Sequence, residues 1–373
     1  MKVVAAIDSF KGSMTSMEAG NAVKKGILAA KPDAEVWLSP LADGGEGTVD
    51  ALIEGLGAEK IPVTVAGPLG EKVSCYYGFL EETKTAVMEM ASAAGITLVT
   101  KKDPLRASTY GVGEMIADAL KRGCKNFMIG IGGSATNDGG IGMLKALGFE
   151  FFDEDGNDVG EGAAALAKIE VIRTENKNPL LSGAKFQIAC DVKNPLCGKQ
   201  GATYIFGPQK GVTEEQKEQV DEAMRHYADV TKESLDCDFA DCEGAGAAGG
   251  LGYAFLSYLA GELIPGVELI LQVTGLEEKM KNADVVVTGE GRLDAQTVMG
   301  KAPAGVAALA KKYNAKVIAF AGSVASEAKV CNRAGIDAFF PIVRGVTTLE
   351  EAMKKENAME NIAATAEQVF RLL

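Results

Sequence analysis

The chain has 373 residues, with 38 Lys and Arg against 51 Asp and Glu for a formal charge of −13, and a single histidine, His226. One imidazole excludes a multi-histidine zinc site and confines any Ser-His or Cys-His machinery to His226, so proton transfer falls to carboxylates or lysines. The negative charge disfavours nucleic acid and anionic membrane surfaces as partners, yet admits a small anion wherever local cations oppose the field.

In chain order, the dominant rhythm is a short apolar run, a loop rich in Gly and Asp, and then a helical pattern. Val3–Ile7 reads as a strand, followed by Asp8-Ser9-Phe10-Lys11-Gly12 and a helix over 16–30 that stops before Pro32. Val36–Leu38 leads into Leu41-Ala42-Asp43-Gly44-Gly45-Glu46-Gly47 and a helix ending near Gly57. Gly67–Phe79 and Phe149–Val159 have the texture of hairpin or edge strands, the second built on the turn Asp153-Glu154-Asp155-Gly156-Asn157. Between them, Phe127–Ile131 runs into Gly132-Gly133-Ser134-Ala135-Thr136-Asn137-Asp138-Gly139-Gly140, with a helix to Leu147 and Gly148 as its cap. Residues 214–233 form a charged amphipathic helix with Val220, Met224, Tyr227 and Val230 on one stripe, and His226 on its solvated flank. Late in the chain, Val285–Val287 precedes the loop Thr288-Gly289-Glu290-Gly291-Arg292-Leu293-Asp294, and Val317–Ala321 precedes Gly322-Ser323 and another helix.

Alternation of strand and helix predicts an α/β fold with mostly parallel sheets, and the length predicts two α/β domains. The economical division is a discontinuous domain of residues 1–65 plus 280–373, with 66–279 inserted as a second. Seven scattered cysteines without a CxxC pair read as free thiols in a reducing cytosol. No signal peptide or 18-residue apolar span is apparent, so the expectation is a cytoplasmic protein.

Ligands of open parallel sheets bind beyond the carboxyl ends of the strands, which directs attention to these loops. Glycine lets backbone N–H groups approach an anion closely. Lys11 and Arg292 are the cations placed to meet a carboxylate or phosphate. Asp43, Glu46, Asp138, Asp191 and Asp294 are the strand-end carboxylates suited to Mg²⁺ or to a substrate hydroxyl, although Asp138 also reads as a helix N-cap and Asp191 as a turn former before Pro195. Gly244-Ala245-Gly246-Ala247-Ala248-Gly249 satisfies GxGxxG but lacks the preceding apolar strand of a dinucleotide fold; a small-residue loop at a helix start is the better reading, with a Rossmann-like oxidoreductase as the alternative. No P-loop is present, because Gly300-Lys301 is followed by alanine.

Several blocks together carry a resemblance. DSFKGS (8–13), LADGGEGT (41–48), IGIGGSATNDGG (129–140), ACDVKNPL (189–196), GPQKG (207–211), GAGAAGGLG (244–252) and TGEGRLDAQT (288–297) resemble, in order and over nearly the whole chain, the signature blocks of the bacterial type 1 glycerate kinases. The resemblance implies ATP-dependent phosphorylation of D-glycerate, with 2-phosphoglycerate favoured over 3-phosphoglycerate. Residue chemistry then assigns Lys11 and Arg292 to anionic groups, and Asp191 or Asp294 to the attacking hydroxyl. Asp43 and Asp138 are assigned to Mg²⁺. Asp8, Ser9, Gly132, Gly133, Ser134, Gly289, Glu290 and Gly291 are assigned to substrate or ATP phosphates.

Overall fold

A computed structural model describes residues 1–42 and 47–373. The fold is mixed α/β with mostly parallel strands, and it divides into two compact units. The first comprises residues 1–42, 50–58 and 267–373, the second residues 47–49 and 59–266. Thirteen strands are described in chain order: β1 (Lys2–Ile7), β2 (Glu35–Pro40), β3 (Glu59–Ala66), β4 (Lys72–Leu80), β5 (Thr85–Glu89), β6 (Asn126–Gly130), β7 (Glu150–Phe152), β8 (Val171–Arg173), β9 (Lys185–Ala189), β10 (Glu262–Ile264), β11 (Val285–Leu293), β12 (Lys316–Val324) and β13 (Ala338–Pro341).

The first unit holds a wholly parallel sheet in the order β13-β12-β11-β1-β2. Its strands are continuous apolar runs because both faces are buried. On one face Val3, Ala5, Ile7, Val287, Ile318 and Phe320 pack in one cluster with Val23 and Ile27 of the helix Ser16–Ala30 and with Ile362 and Phe370 of the helix Lys355–Arg371. Alternate residues Val4, Ala6, Val286, Val317 and Ala319 are buried on the other face. The chain moves in opposite directions along the sheet from β1 to β2 and from β11 to β12, so right-handed crossovers place the intervening helices on opposite faces.

The helix Ser16–Ala30 begins where the sequence places it, at a capping box in which the Thr15 hydroxyl accepts from the Glu18 N–H and the Glu18 carboxylate accepts from the Thr15 N–H. The Glu18 carboxylate also pairs with Lys355 of the packed helix. At the crossing of these two helices, a Cβ on Gly26 would lie 2.0 Å from the Ala363 carbonyl oxygen.

The second unit carries the sheet β10-β9-β6-β5-β4-β3, parallel from β10 to β5 and antiparallel across β4 and β3. β3 and β4 are the edge hairpin expected near Gly67–Phe79. The segment Phe149–Val159 turns back at 153–157, where the Asp153 N–H donates to the Asn157 carbonyl at 2.9 Å and the Val159 N–H to the Phe151 carbonyl at 3.2 Å, and its strand β7 pairs with β8 in a separate two-stranded sheet. The amphipathic helix spans Lys217–Leu235, and Tyr227 on its apolar stripe meets Phe151, Tyr253 and Tyr258 in an aromatic cluster. His226 is half-buried rather than solvated, its Nε2 lying 2.8 Å from the Ile169 carbonyl oxygen.

The junctions at 58/59 and 266/267 lie earlier than the sequence-read 65/66 and 279/280, and residues 47–49 make a further, short excursion into the second unit. β3 is an edge of the second sheet, whereas Val267 packs against Gly305 in the first unit, where a Cβ on Gly305 would sit 2.3 Å from its Cγ1.

Because backbone, not a flexible side chain, opposes Gly26, Gly26→Val forces the two helices apart, an overpacking cost of about 1–3 kcal/mol. Thermal unfolding is expected to shift down by several degrees; a wild-type Tm would show that the crossing relaxes freely.

Candidate active site

The carboxyl ends of β1, β11 and β12 converge on a cleft of about 580 Å³ in the first unit. β1 ends at Ile7, and the Asp8 N–H donates to the Gly289 carbonyl at 2.9 Å, fixing the start of the Asp8-Ser9-Phe10-Lys11 loop against β11. The Asp8 carboxylate accepts from the Ser9 N–H at 2.7 Å.

β11 and β12 do not stop where the glycines begin. The expected loop Thr288–Leu293 is strand throughout, paired through Gly289 with Phe320, Arg292 with Ser323 and Leu293 with Val324. Gly289, expected to contact phosphate, instead lets two backbones approach: a Cβ there would lie 2.2 Å from the Phe320 carbonyl oxygen, and Gly289 does not line the cleft. Glu290, Gly291, Arg292 and Asp294 do.

Asp294 follows β11 directly and caps the short turn Ala295–Val298, its Oδ1 accepting from the Gln296 N–H at 2.9 Å. The buried Thr297 hydroxyl donates to Glu290 Oε1 at 2.6 Å and accepts from the Asp294 N–H at 3.2 Å, so one side chain sets both carboxylate-bearing residues. Arg292 Nε lies 3.7 Å from Asp294 Oδ2, and Lys301 Nζ lies 3.8 Å from both Glu290 Oε2 and Asp294 Oδ1. These separations exceed hydrogen-bond length, so the cations are held near the carboxylates without being locked to them.

Lys301 is the residue that sequence reasoning missed: its Gly300-Lys301 context registered only as a failed P-loop, and its position at the start of the helix Ala302–Lys311 became significant once Glu290 and Asp294 stood beside it. The described lining thus holds three cations, Lys11, Arg292 and Lys301, and three carboxylates, Asp8, Glu290 and Asp294, for a net charge of zero within a chain of −13.

The remaining expected residues lie in the second unit. β5, β6, β9 and β10 end level, with Glu89 beside Gly130, Gly130 beside Ala189 and Ala189 beside Ile264. Gly132 and Gly133 follow β6 and are exposed, while Ser134 is buried. Asp191 follows β9 and is exposed, its Oδ1 accepting from the Gly266 N–H at 2.9 Å. Asp43 and Glu46 lie outside the described residues.

Asp138 requires a correction. It is fully buried, and its carboxylate accepts from the Thr109 N–H and hydroxyl, both at 2.8 Å, and from the N–H groups of Gly140 at 3.1 Å and Gly142 at 3.3 Å. That placement ties the helix Ile141–Ala146 to the helix Tyr110–Lys121 and does not suit a metal ligand. Burial pushes its carboxyl above the usual range, and these hydrogen bonds oppose the shift. Nearby, Lys210 is buried with Nζ donating to the Thr136 carbonyl at 2.6 Å; burial pulls its ammonium down to about 7, against the opposing pull of Asp138. The GxGxxG segment forms turns around Ala247–Gly249 and leads into the helix Leu251–Leu259, the small-residue loop expected.

In an open parallel α/β sheet ligands bind beyond the strand ends, and here that place is a cleft that sets cations against carboxylates. A sequence model of the glycerate kinase family matches residues 3–373. The glycerate kinase of Bacillus subtilis (strain 168) is 44% identical over 371 residues, covering 99% of this chain and 97% of its own. The glycerate 2-kinase of Escherichia coli (strain K12) is 45% identical, covering 98% of each. A solved structure of a candidate glycerate kinase 2 from Salmonella typhimurium LT2 superposes with a TM-score of 0.91 at 43% identity, over 99% of this chain and 97% of that one. The chain belongs to the glycerate kinase family and is a kinase.

Asp138→Ala strands four buried donors, for a stability loss on the order of 3 kcal/mol. Urea unfolding is expected to show that loss, while the Mg²⁺ concentration giving half-maximal rate stays at the wild-type value; unaltered stability with a shifted Mg²⁺ requirement would restore the metal assignment.

Proposed function

We propose that this protein, a bacterial type 1 glycerate kinase, transfers the γ-phosphoryl group of ATP to D-glycerate in the cytoplasm, giving ADP and 2-phosphoglycerate. The observation that carries the reading is the neutral cleft at the ends of β1, β11 and β12, where Lys11, Arg292 and Lys301 share a lining with Asp8, Glu290 and Asp294. The relative named glycerate 2-kinase, at 45% identity, supports the 2-phosphate as product. Small anions are the partners this charge pattern admits, and nucleic acid is not. No helix among the described residues is long and apolar enough to cross a membrane.

Phosphoryl transfer is mainly positioning and electrostatics, so a carboxylate suffices where a strong base is absent. In this reading Asp294 accepts the proton of the attacking hydroxyl, the hydroxyl oxygen bonds to the γ-phosphorus, and the β,γ-bridging oxygen departs on ADP. Asp294 is favoured over Asp191 because it shares one lining with three cations, whereas Asp191 stands in the second unit. Lys301 and Arg292 neutralise charge that spreads over the transferring oxygens, and Lys11 meets a substrate anion. Asp8, Ser9 and Gly291 line the same cleft, whereas Gly132, Gly133 and Ser134, like Asp191, stand in the second unit.

Magnesium fits as an ion carried by phosphates. Among the described residues no three Asp, Glu, His or Cys side chains converge on a point, and Mg²⁺ commonly takes one or two carboxylates plus substrate phosphates. Asp8 and Glu290 are the lining carboxylates offered to it, with Asp43 a further candidate by its place after β2. When bound, the ion neutralises phosphate charge.

Incubation with ATP, Mg²⁺ and D-glycerate is expected to yield 2-phosphoglycerate by phosphorus NMR. Lys301→Ala and Asp294→Asn are expected to lower kcat/KM by about 10²–10³ without lowering Tm, as removal of a transition-state charge partner does. The Asn retains an N-cap acceptor for Gln296. Absence of any phosphorylated glycerate would sink the activity, and wild-type kcat/KM in both variants would remove this cleft from the mechanism.

A further inference from the structure

The cleft has two unlike halves. Opposite the charged strand ends stands an apolar wall made by Ile342 after β13, by Leu349, Ala352 and Met353 on a short helical turn, and by Ala358 at the start of the helix Lys355–Arg371. Nine large hydrophobic side chains are exposed among the described residues, and two of them, Leu349 and Met353, line this cleft. Leu349 is 76% exposed. Isolated exposed hydrophobics are ordinary, but a cluster on the rim of a cleft calls for an occupant.

Glycerate cannot be that occupant, because a three-carbon acid with two hydroxyls has almost no apolar surface to offer. The volume of about 580 Å³ lies within the roughly 300–1,000 Å³ typical of sites for much larger ligands. Polar groups beside the wall have acceptors already in use: the Thr348 hydroxyl accepts from the Glu351 N–H at 3.2 Å, and Asn361 Oδ1 accepts from Arg344 Nε at 2.9 Å. The wall offers faces and edges of hydrocarbon to a flat ring. The wall is continuous with the anion-facing loop, since a Cβ on Gly12, next to Lys11, would lie 3.1 Å from Met353 Cε.

We infer that this wall seats the nucleobase of the phosphoryl donor, with the ring against Leu349 and Met353 and the phosphates directed toward Lys301 and Arg292. This rests on reading the cleft as the donor site. An apolar seat for the base and a cationic seat for the phosphates make the two ends of ATP energetically separable, which is what an experiment can exploit. Inorganic tripolyphosphate carries the phosphate end alone.

Calorimetric titration of wild type and Leu349→Asp with ATP and with tripolyphosphate therefore separates the halves. Leu349 is exposed enough for the variant to fold, and Met353→Ser is the second variant. ATP binding is expected to weaken about tenfold or more in each, tripolyphosphate binding to stay within about twofold, and the KM for D-glycerate to be unchanged. Equal weakening of both probes, a rise in the glycerate KM instead, or undiminished ATP binding would overturn the assignment. So would a change of oligomeric state by sedimentation at undiminished ATP binding, which would make the wall a contact between copies. If wild type binds ATP but phosphorylates no glycerate, the proposed activity falls while the binding comparison still decides where the base sits.

Discussion

In the first unit, the parallel ladder between β11 and β12 continues beyond the point where apolar residues end, and the cleft depends on that continuation. A strand of valines would ordinarily yield to a loop at Thr288, leaving Glu290, Arg292 and Asp294 on mobile backbone. Close backbone approach at Gly289 keeps the two strands paired as far as Leu293 and Val324, and a side chain there would collide with the Phe320 carbonyl. Successive residues of a strand point to opposite faces, so Glu290, Arg292 and Asp294 share one direction, which is how three ionisable groups reach one cleft. Thr297 then fixes the acidic pair by bonding Glu290 and the Asp294 backbone together. Sites built on strands hold their groups more tightly than sites on loops, and a reaction that relies on positioning gains from that directly.

The second unit solves a related problem with a buried carboxylate. The segment after β6 carries glycines whose backbone would wander without an anchor, and Asp138 supplies it by accepting four hydrogen bonds inside the core. Lys210, also buried, holds the Thr136 carbonyl two residues upstream. The two side chains thus hold the backbone at separate points, Lys210 at the Thr136 carbonyl and Asp138 at the Gly140 and Gly142 N–H groups, which fixes the course of residues 136–142.

Much of this was legible in sequence because it followed from periodicity. The helix Ser16–Ala30 could be bounded at its end from Pro32, and the strand-end placing of Asp8, Lys11, Arg292 and Asp294 followed from where apolar runs stop. What failed was whatever depended on a partner distant in the chain. Glycine in Thr288–Leu293 reads as a loop unless Phe320 is known to lie alongside it. Asp138 reads as a metal ligand or a cap with equal right until Thr109, 29 positions earlier, appears as its partner. Lys301 carries no local signature at all; only the folding of β11 beside its helix gives it two carboxylates to stand between. At β7 the local turn at 153–157 was legible, whereas its ladder partner β8, nearly twenty residues away, was not.

The charge pattern also explains how so acidic a chain can hold a polyanion. At physiological ionic strength the Debye length is about 8 Å, so most of the net −13 is screened at the distance of the cleft, and binding is decided by the groups that line it. Those groups balance before any ligand arrives: Arg292 and Lys301 stand 3.7–3.8 Å from carboxylates, close enough to offset them and too far to be consumed by hydrogen bonds. An incoming phosphate can therefore take up the cations by small side-chain movements, without first breaking a tight ion pair. In the proposed reaction, Asp8, Glu290 and Asp294 would then be the groups left to meet the metal ion and the hydroxyl proton, so that arrival of the anion would prepare the acidic half of the site.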